Sequence, residues 1–236
     1  AEADLAAVLE TVASDGKPAP AALVLVDPSY QGQRAPLAAL VAMAHRAGLP
    51  VLVDQAHGRG EALAAGADLV VISLQKAGGG LAQAAALFAQ GNRCDLTALE
   101  RGLLWCQTSS PSALLLAASA AAIAHGASPA GRRQRQRAEA IGGRLRRRLE
   151  AEGFPLLAHG DPLRLVLLTA PLGFTGLSAD AWLLERGVIA ELPEPGALTF
   201  CLGLVPPPGL AGRLPRILMA MRRALAGPAL DLFEPP

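Results

Sequence analysis

The residues of this chain that are best suited to chemistry are a carboxylate, an imidazole and an amine, at Asp54, His57 and Lys76. Lys76 is one of only two lysines, with Lys17, against nineteen arginines. A lysine amine forms a Schiff base with an aldehyde, and partial desolvation lowers its pKa so that the free amine is available. A carboxylate stabilises the protonated form of a nearby nitrogen and so raises the pKa of that nitrogen. Each unit of this pKa shift corresponds to roughly 1.4 kcal/mol. These residue types therefore favour a site that captures a carbonyl group.

Short apolar runs come before these residues and predict a parallel sheet that is buried on both faces, because the strands lack polar interruptions and alternate with helices. The strands are predicted at 22–26, 51–53 and 68–74, and the helices between them at 37–47 and 61–65. Ligands of such sheets bind beyond the carboxyl ends of the strands. Asp54 and Lys76 follow two of these ends. Tyr30 follows the first run, and we expect it to line the same crevice.

The rest of the chain predicts a smaller α+β unit, which is reached through a long basic helix. Helices are predicted at 4–12, 96–106, 112–125, 131–152, 179–186 and 213–225, and strands at 163–169, 187–191 and 198–202. We therefore expect three segments. They are an α/β unit at 1–127, a linker helix with a small α+β domain at 128–227, and a tail at 228–236.

Composition narrows the possible classes of protein. The chain has 236 residues, of which 52% are apolar and 17% charged, so it can bury a sizeable core and is not disordered over most of its length. Three widely spaced cysteines predict reduced thiols in a cytoplasmic protein, and they offer no metal site. No signal peptide is visible. The longest apolar stretch, 113–124, is too short for a membrane span.

The net charge of +1 does not indicate a general binder of polyanions. Eight arginines lie between Arg132 and Arg148, which could form a nucleic-acid patch. No aromatic residue lies among them to stack on bases, so a solvated helix face is the better interpretation. We expect neither nucleic acid nor membrane as a partner.

Pyridoxal phosphate (PLP) is the cofactor whose needs these side chains match. Lys76 supplies the amine for its aldehyde, and Asp54 supplies the carboxylate that keeps its ring nitrogen protonated. Ser73, three residues before the lysine, can donate a hydrogen bond to its phosphate. Each residue alone also has a simpler interpretation. Lys76 could be a surface lysine, Asp54 a helix N-cap and His57 a satisfied polar residue at a strand end.

Four segments, in order, resemble the ornithine/lysine/arginine decarboxylases, which are PLP enzymes of the aspartate aminotransferase fold. Residues 53–58, V-D-Q-A-H-G, resemble the family's V-D-E-A-H-G, and residues 73–76, S-L-Q-K, resemble its S-T-H-K. Residues 107–112, Q-T-S-S-P-S, resemble its Q-T-T-S-P-S, and residues 27–32, D-P-S-Y-Q-G, are similar to its S-P-T-Y-x-G. The resemblance implies the C-terminal part of an aspartate aminotransferase-like PLP domain, with a parallel-rich α/β sheet, followed by a small α+β domain.

The resemblance also implies roles for individual residues. Lys76 carries PLP, Asp54 pairs with the pyridine nitrogen, and Ala56 packs on the ring face. His57 lies near the ring's phenolic oxygen or the substrate carboxylate, and Ser73 binds the phosphate. Thr108 and Ser109 reach a phosphate in a neighbouring subunit, which implies a homodimer or a higher homo-oligomer.

The chain departs from the family in ways that bear on its activity. Gln75 replaces a usual His, and Gln55 replaces a common Glu. The family's glycine- and serine-rich phosphate loop and its ring-stacking residue have no counterpart before position 22. The implied activity is decarboxylation of arginine, lysine or ornithine to an amine and CO2. Two alternatives stay open: another PLP reaction, such as aminotransfer or C–C bond formation, and a non-catalytic partial homologue or fragment that acts as a dimerisation or interaction module.

Overall fold

The structure, a computed structural model, describes residues 2–14, 20–76, 78–81 and 83–232, with only the backbone of 11–14. Lys17 and the last four residues of the expected tail lie outside the described residues. The chain divides into two compact units, unit 1 at Ala1–Ser128 and unit 2 at Pro129–Pro236. The expected functional boundaries at 127/128 and 227/228 stay predictions.

Unit 1 is built on a four-stranded sheet in the order β1-β2-β3-β4. Its elements are α1 (Glu2–Ser14), β1 (Leu23–Val26), α2 (Leu37–Arg46), β2 (Val51–Asp54), α3 (Glu61–Ala64), β3 (Leu69–Ser73), β4 (Ala85–Ala89), α4 (Leu96–Cys106) and α5 (Ala113–Ala127). β1, β2 and β3 are parallel, and β4 pairs with β3 in the antiparallel direction. The carboxyl ends of β1, β2 and β3 therefore meet at one edge of the sheet.

One face of this sheet forms the core of unit 1. Side chains alternate between the two faces of a strand, so Val51 and Val53 of β2 lie on the same face as Val70 and Ile72 of β3. These four valine and isoleucine side chains pack with buried residues of α2 and α3. Each fully buried side chain of this kind contributes about 1.5–3 kcal/mol of hydrophobic stabilisation. This packing fixes the orientation of β2 and β3, and with it the positions of the residues that follow them.

The opposite face of the sheet differs from the prediction that both faces are buried. Val24 and Val26 of β1 are 63% and 64% exposed, and their register partners Leu52 and Asp54 are only half-buried. Among the described residues, α4 and α5 contain no buried side chain. We call the surface formed by Val24, Val26, Leu52, Asp54, Val71 and Ser73 the open face.

Unit 2 contains a three-stranded antiparallel sheet in the order β5-β7-β6. Its elements are α6 (Pro129–Ala151), β5 (Arg164–Leu168), a 3-10 turn (Ala170–Leu172), α7 (Gly176–Leu184), β6 (Leu192–Pro193), β7 (Ala197–Cys201) and α8 (Leu210–Leu225). Leucines of α6 and α8, with β5 and β7, form its core. This is the smaller α+β unit that the sequence predicts.

Two strands differ from the sequence prediction. The strand expected at 187–191 is wrong, because residues 185–188 form the turn that follows α7. Gly187 has a φ of +68°, and the backbone N–H of Val188 donates to the carbonyl of Leu183, which are features of a helix C-terminus. The strand of this region is β6. β4 was not predicted, since its alanine-rich sequence lacks a strong strand signal.

No helix of the described residues is, on its own, long and apolar enough to cross a membrane.

Candidate active site

The candidate site lies where the parallel strands of unit 1 end. β2 ends at Asp54 and β3 ends at Ser73, three residues before Lys76. β1 is followed by Asp27 and by the loop that carries Tyr30. Three loops therefore bring their side chains to the same edge of the sheet.

Lys76 and His57 are in direct contact. The Nζ atom of Lys76 lies 3.1 Å from Nε2 of His57, although the residues belong to different loops. The ring of His57 also contacts the ring of Tyr30, with centroids 4.8 Å apart and planes at 68°, an edge-to-face arrangement. Lys76 is exposed, whereas His57 and Tyr30 are half-buried. The structure thus brings together an amine, an imidazole and a phenol.

Asp54 lies at the beginning of the turn that presents His57. Its Oδ1 atom accepts a hydrogen bond of 2.8 Å from the backbone N–H of Ala56. The N–H of Gly58 donates to the carbonyl of Gln55 at 2.8 Å and completes the turn. Asp54 and Ala56 are both half-buried, and Asp54 belongs to the open face. The turn therefore fixes the backbone path between Asp54 and His57.

Gln55 stands where the family commonly has Glu, and its side chain stabilises the backbone around the site. Its side chain is fully buried, and its Oε1 atom accepts a hydrogen bond of 3.1 Å from the N–H of Ala62. A Cβ atom on Gly58 would lie 2.9 Å from this side chain, so glycine is needed for the close approach. A neutral amide meets these needs without burying a charge, which would be costly here.

A charged network that the sequence analysis did not predict supports the loop after β1. The guanidinium of Arg34 donates to Glu61 at 2.9 Å, and lies 4.0 Å from the buried carboxylate of Asp27. Burial opposes ionisation of Glu61, but hydrogen bonds from Arg34 and from the backbone outweigh it and lower the pKa of this carboxyl. Arg34 and Glu61 are 27 positions apart, so no local sequence pattern pointed to their contact.

The remaining predicted site residues lie at two places. Ser73 is half-buried at the end of β3, on the open face with Asp54. Thr108 and Ser109 are exposed in the loop between α4 and α5, where the N–H of Ser110 donates to Oγ1 of Thr108. The structure gives these two residues a place on the surface of unit 1 and no contact with Lys76 among the hydrogen bonds of the described residues.

The donor set at this edge fits PLP. A lysine amine, an imidazole and a half-buried carboxylate occupy neighbouring strand ends, and a serine hydroxyl lies on the same face. An amine and a carboxylate are the two groups that a pyridine aldehyde needs from its protein, and Lys76 and Asp54 are the residues that can supply them.

Comparisons with known proteins agree with this chemistry. No protein-family model matches the chain. It is 32% identical to an arginine decarboxylase of Halalkalibacterium halodurans over 194 residues, which cover 74% of this chain and 39% of that protein. It is 31% identical to an arginine decarboxylase of Bacillus subtilis over 183 residues, with coverage of 69% and 37%. The chain thus spans about two fifths of the length of the curated relatives that it matches.

Solved structures share the fold. A structure of SPT with a PLP internal aldimine superposes with a TM-score of 0.78 at 23% identity, covering 95% of this chain and 60% of that one. A serine palmitoyltransferase from Sphingomonas wittichii superposes with a TM-score of 0.75 at 22% identity, with coverage of 95% and 59%. The predicted fold class is confirmed. So is the predicted resemblance: the chain is similar to part of the arginine decarboxylases and has the aminotransferase-like fold of PLP enzymes.

Proposed function

We propose that this chain carries the lysine-bearing part of a PLP-dependent decarboxylase of a basic amino acid, with arginine as the first substrate to test. The observation that carries the proposal is the 3.1 Å contact between Lys76 and His57, at the sheet edge where Asp54 ends β2. The similarity to arginine decarboxylases over about 70% of the chain supports the choice of reaction and substrate.

Each residue of the proposed site has a role that follows from the chemistry of its side chain. PLP, when bound, supplies an aldehyde for an amine and a ring that accepts the electron pair released with CO2. Lys76 would hold the cofactor through its amine. Asp54 pairs with the pyridine nitrogen and keeps its proton in place. Ala56 packs on the ring face, and its small side chain leaves room for a flat heterocycle.

His57 orients the amine of Lys76 by accepting a hydrogen bond from it. An ammonium group has donors only, so a protonated Lys76 donates to Nε2 of His57, and the neutral imidazole then carries its own proton on Nδ1. We propose that this hydrogen bond aims the Lys76 amine towards the open face. His57 is also placed to approach the phenolic oxygen of the cofactor or the carboxylate of the substrate.

Phosphate recognition completes the proposal and involves a second copy of the chain. Ser73 is the candidate phosphate ligand from the lysine-bearing subunit. Thr108 and Ser109 are exposed, so they are able to reach the phosphate bound by a partner copy. We propose a homodimer on this basis. The three free cysteines support a reducing, cytoplasmic location.

Cofactor capture at Lys76 tests the proposal. The purified protein is incubated with PLP, reduced with borohydride, digested and analysed by mass spectrometry, with Lys17 as the internal reference because the chain has only two lysines. We expect PLP on Lys76, no label at position 76 in Lys76→Ala, and CO2 release from arginine. Labelling of Lys17 and Lys76 to the same extent contradicts the proposal.

A second candidate function is that of a non-catalytic interaction module, and one observation favours it. Val24 and Val26 of the open face are largely exposed. A module of this kind would associate with itself, but PLP would label Lys76 no more than Lys17. C–C bond formation, the other PLP reaction left open by the sequence, is separated from decarboxylation by the products formed from labelled amino acids.

A further inference from the structure

The loop after β1 is held rigidly, and Tyr30 lies at its centre. The N–H of Asp27 donates to the carbonyl of Asp54 at 3.0 Å, and Oδ1 of Asp27 accepts from the N–H of Ala35 at 2.7 Å. Within the loop, the N–H of Ser29 donates to the carbonyl of Gln33 at 2.8 Å, and its Oγ accepts from the N–H of Gln33 at 3.1 Å. These bonds fix both ends of the segment that carries Tyr30.

The turn that carries His57 is also held by hydrogen bonds, which involve its backbone and the side chains of Asp54 and Gln55. The bonds of Asp54, Gln55 and Gly58 fix the path of residues 54–58 and leave the side-chain torsions of His57 to be set by its neighbours. Two such neighbours are Lys76, at Nε2, and Tyr30, against the ring. An imidazole that could swing freely would meet the Lys76 amine only part of the time.

We propose that Tyr30 is a positioning residue that acts on Lys76 through His57. The edge-to-face contact at 4.8 Å selects the ring orientation in which Nε2 faces the amine. The aromatic ring, and not the hydroxyl group, carries this effect. The proposal rests on the proposed function, because orientation of Lys76 matters only if Lys76 captures a carbonyl compound.

Tyr30→Leu removes the ring, Tyr30→Phe keeps it, and Gln33→Ala is the matched control, since the exposed Gln33 binds this loop through its backbone. The first measurement is the rate at which PLP is fixed to Lys76, relative to Lys17. Loss of the interaction energy of an aromatic pair predicts that PLP is fixed to Lys76 about two- to tenfold more slowly in Tyr30→Leu than in the parent. We expect parental rates for Tyr30→Phe and Gln33→Ala.

The second measurement needs no cofactor. The chain has four histidines, so the ring signals of His57 are assigned by NMR from the spectrum of His57→Asn. We expect these signals to move in Tyr30→Leu and to keep nearly their parental positions in Tyr30→Phe. Thermal unfolding of each variant, followed by circular dichroism, shows whether the fold is retained.

The outcomes separate the two proposals. If Tyr30→Leu captures PLP at the parental rate and leaves the His57 signals in place, the role of Tyr30 is overturned while the function of Lys76 stands. Equal slowing by Tyr30→Leu and Tyr30→Phe also overturns it, because the ring is then not the active part. If parental Lys76 reacts no faster than Lys17, the proposed function fails, and the NMR signals alone decide whether Tyr30 orients His57.

Discussion

Asp54 and Ser73 lie on neighbouring parallel strands and on the same face of the sheet. Asp54 is in register with Val71, and alternation of side chains puts Ser73, two residues further along β3, on that same face. This is the open face, on which Val24 and Val26 are exposed. A flat cofactor with a ring nitrogen and a phosphate can therefore reach Asp54 and Ser73 from one side.

Asp54→Asn separates cofactor capture from turnover. The amide oxygen can still accept the N–H of Ala56, so the turn is kept and Lys76 should capture PLP nearly as well as in the parent. The neutral amide no longer favours a protonated ring nitrogen, and loss of even one pKa unit there lowers the rate about tenfold. We expect at least that decrease in CO2 release from arginine.

Asp95→Asn is the matched control for this substitution, because Asp95 also accepts a backbone N–H, that of Thr97, but does so as the N-cap of α4. It should leave both PLP capture and CO2 release unchanged. Equal turnover by Asp54→Asn and the parent would remove Asp54 from the proposed site.

The pKa of Glu61 predicts how acid affects stability. Its folded-state pKa lies below the ordinary value of 4.5, so its contribution to stability is present above about that pH and is lost as the pH falls through the lower, folded-state value. The carboxylate is 39% exposed, so we expect Glu61→Gln to cost only about 0.5 kcal/mol at pH 7. Urea unfolding at pH 7 and pH 3 measures this difference.

The difference between Glu61→Gln and the parent should shrink as the pH falls from 7 to 3, because protonation of the parental carboxyl removes the charge that Arg34 stabilises. Glu100→Gln, an exposed substitution on α4, should show no such pH dependence. A destabilisation by Glu61→Gln that is equal at both pH values would mean that packing, and not charge, explains its effect.

The sequence predicted the sheet edge well because the signals for it are local. The apolar run 51–53 and the run 68–74 define two strands, and the residues of the proposed site lie where these strands end. The open face could not be predicted. The same apolar pattern that predicts a parallel strand implies cover on both sides, and nothing in Val24 or Val26 themselves tells whether that cover is present.

Contacts between residues that are far apart along the chain could not be predicted from the sequence either. Gln55 could be seen as a departure from the family, but its bond to Ala62 depends on where α3 packs. Tyr30 was expected near the crevice, yet only the structure places its ring on His57. Thr108 and Ser109 follow a well-matched motif, and their role stays a prediction because it depends on a second copy of the chain.

Two adjacent glycines in α6 should respond in opposite ways to alanine. A Cβ atom on Gly142 would collide with the carbonyl oxygen of Pro162, a backbone atom that cannot easily move. We expect Gly142→Ala to destabilise the protein by about 1–3 kcal/mol. At Gly143 the nearest atom is the flexible end of Arg147, at 3.4 Å, so Gly143→Ala should be neutral or stabilise the helix by up to about 1 kcal/mol.

Urea unfolding of the two variants, followed by circular dichroism, measures these changes, and each glycine serves as the control for the other. If Gly142→Ala is as stable as Gly143→Ala, the close approach of α6 to the loop at Pro162 is not present in solution.

The apolar surface of α4 and α5 predicts how copies of the chain associate. Leu104 and Trp105 are 76% and 82% exposed, and Leu114 and Leu116 of α5 are 68% and 58% exposed. Exposed apolar clusters of this kind mark interaction sites, and a buried tryptophan is a frequent hot spot. If a second copy covers this surface, Trp105→Arg should weaken the dimer about 30-fold, which corresponds to a hot spot of about 2 kcal/mol.

Sedimentation equilibrium over a range of concentrations gives the dissociation constant for the parent and for Trp105→Arg. Ile189→Arg is the matched control, because Ile189 is 80% exposed but belongs to unit 2. It should leave the dissociation constant unchanged. The proposed homodimer also requires the loop of Thr108, which directly follows α4, to lie beside the interface. A parent that stays monomeric at high concentration, or equal effects of the two arginine substitutions, would exclude this surface as the contact between copies.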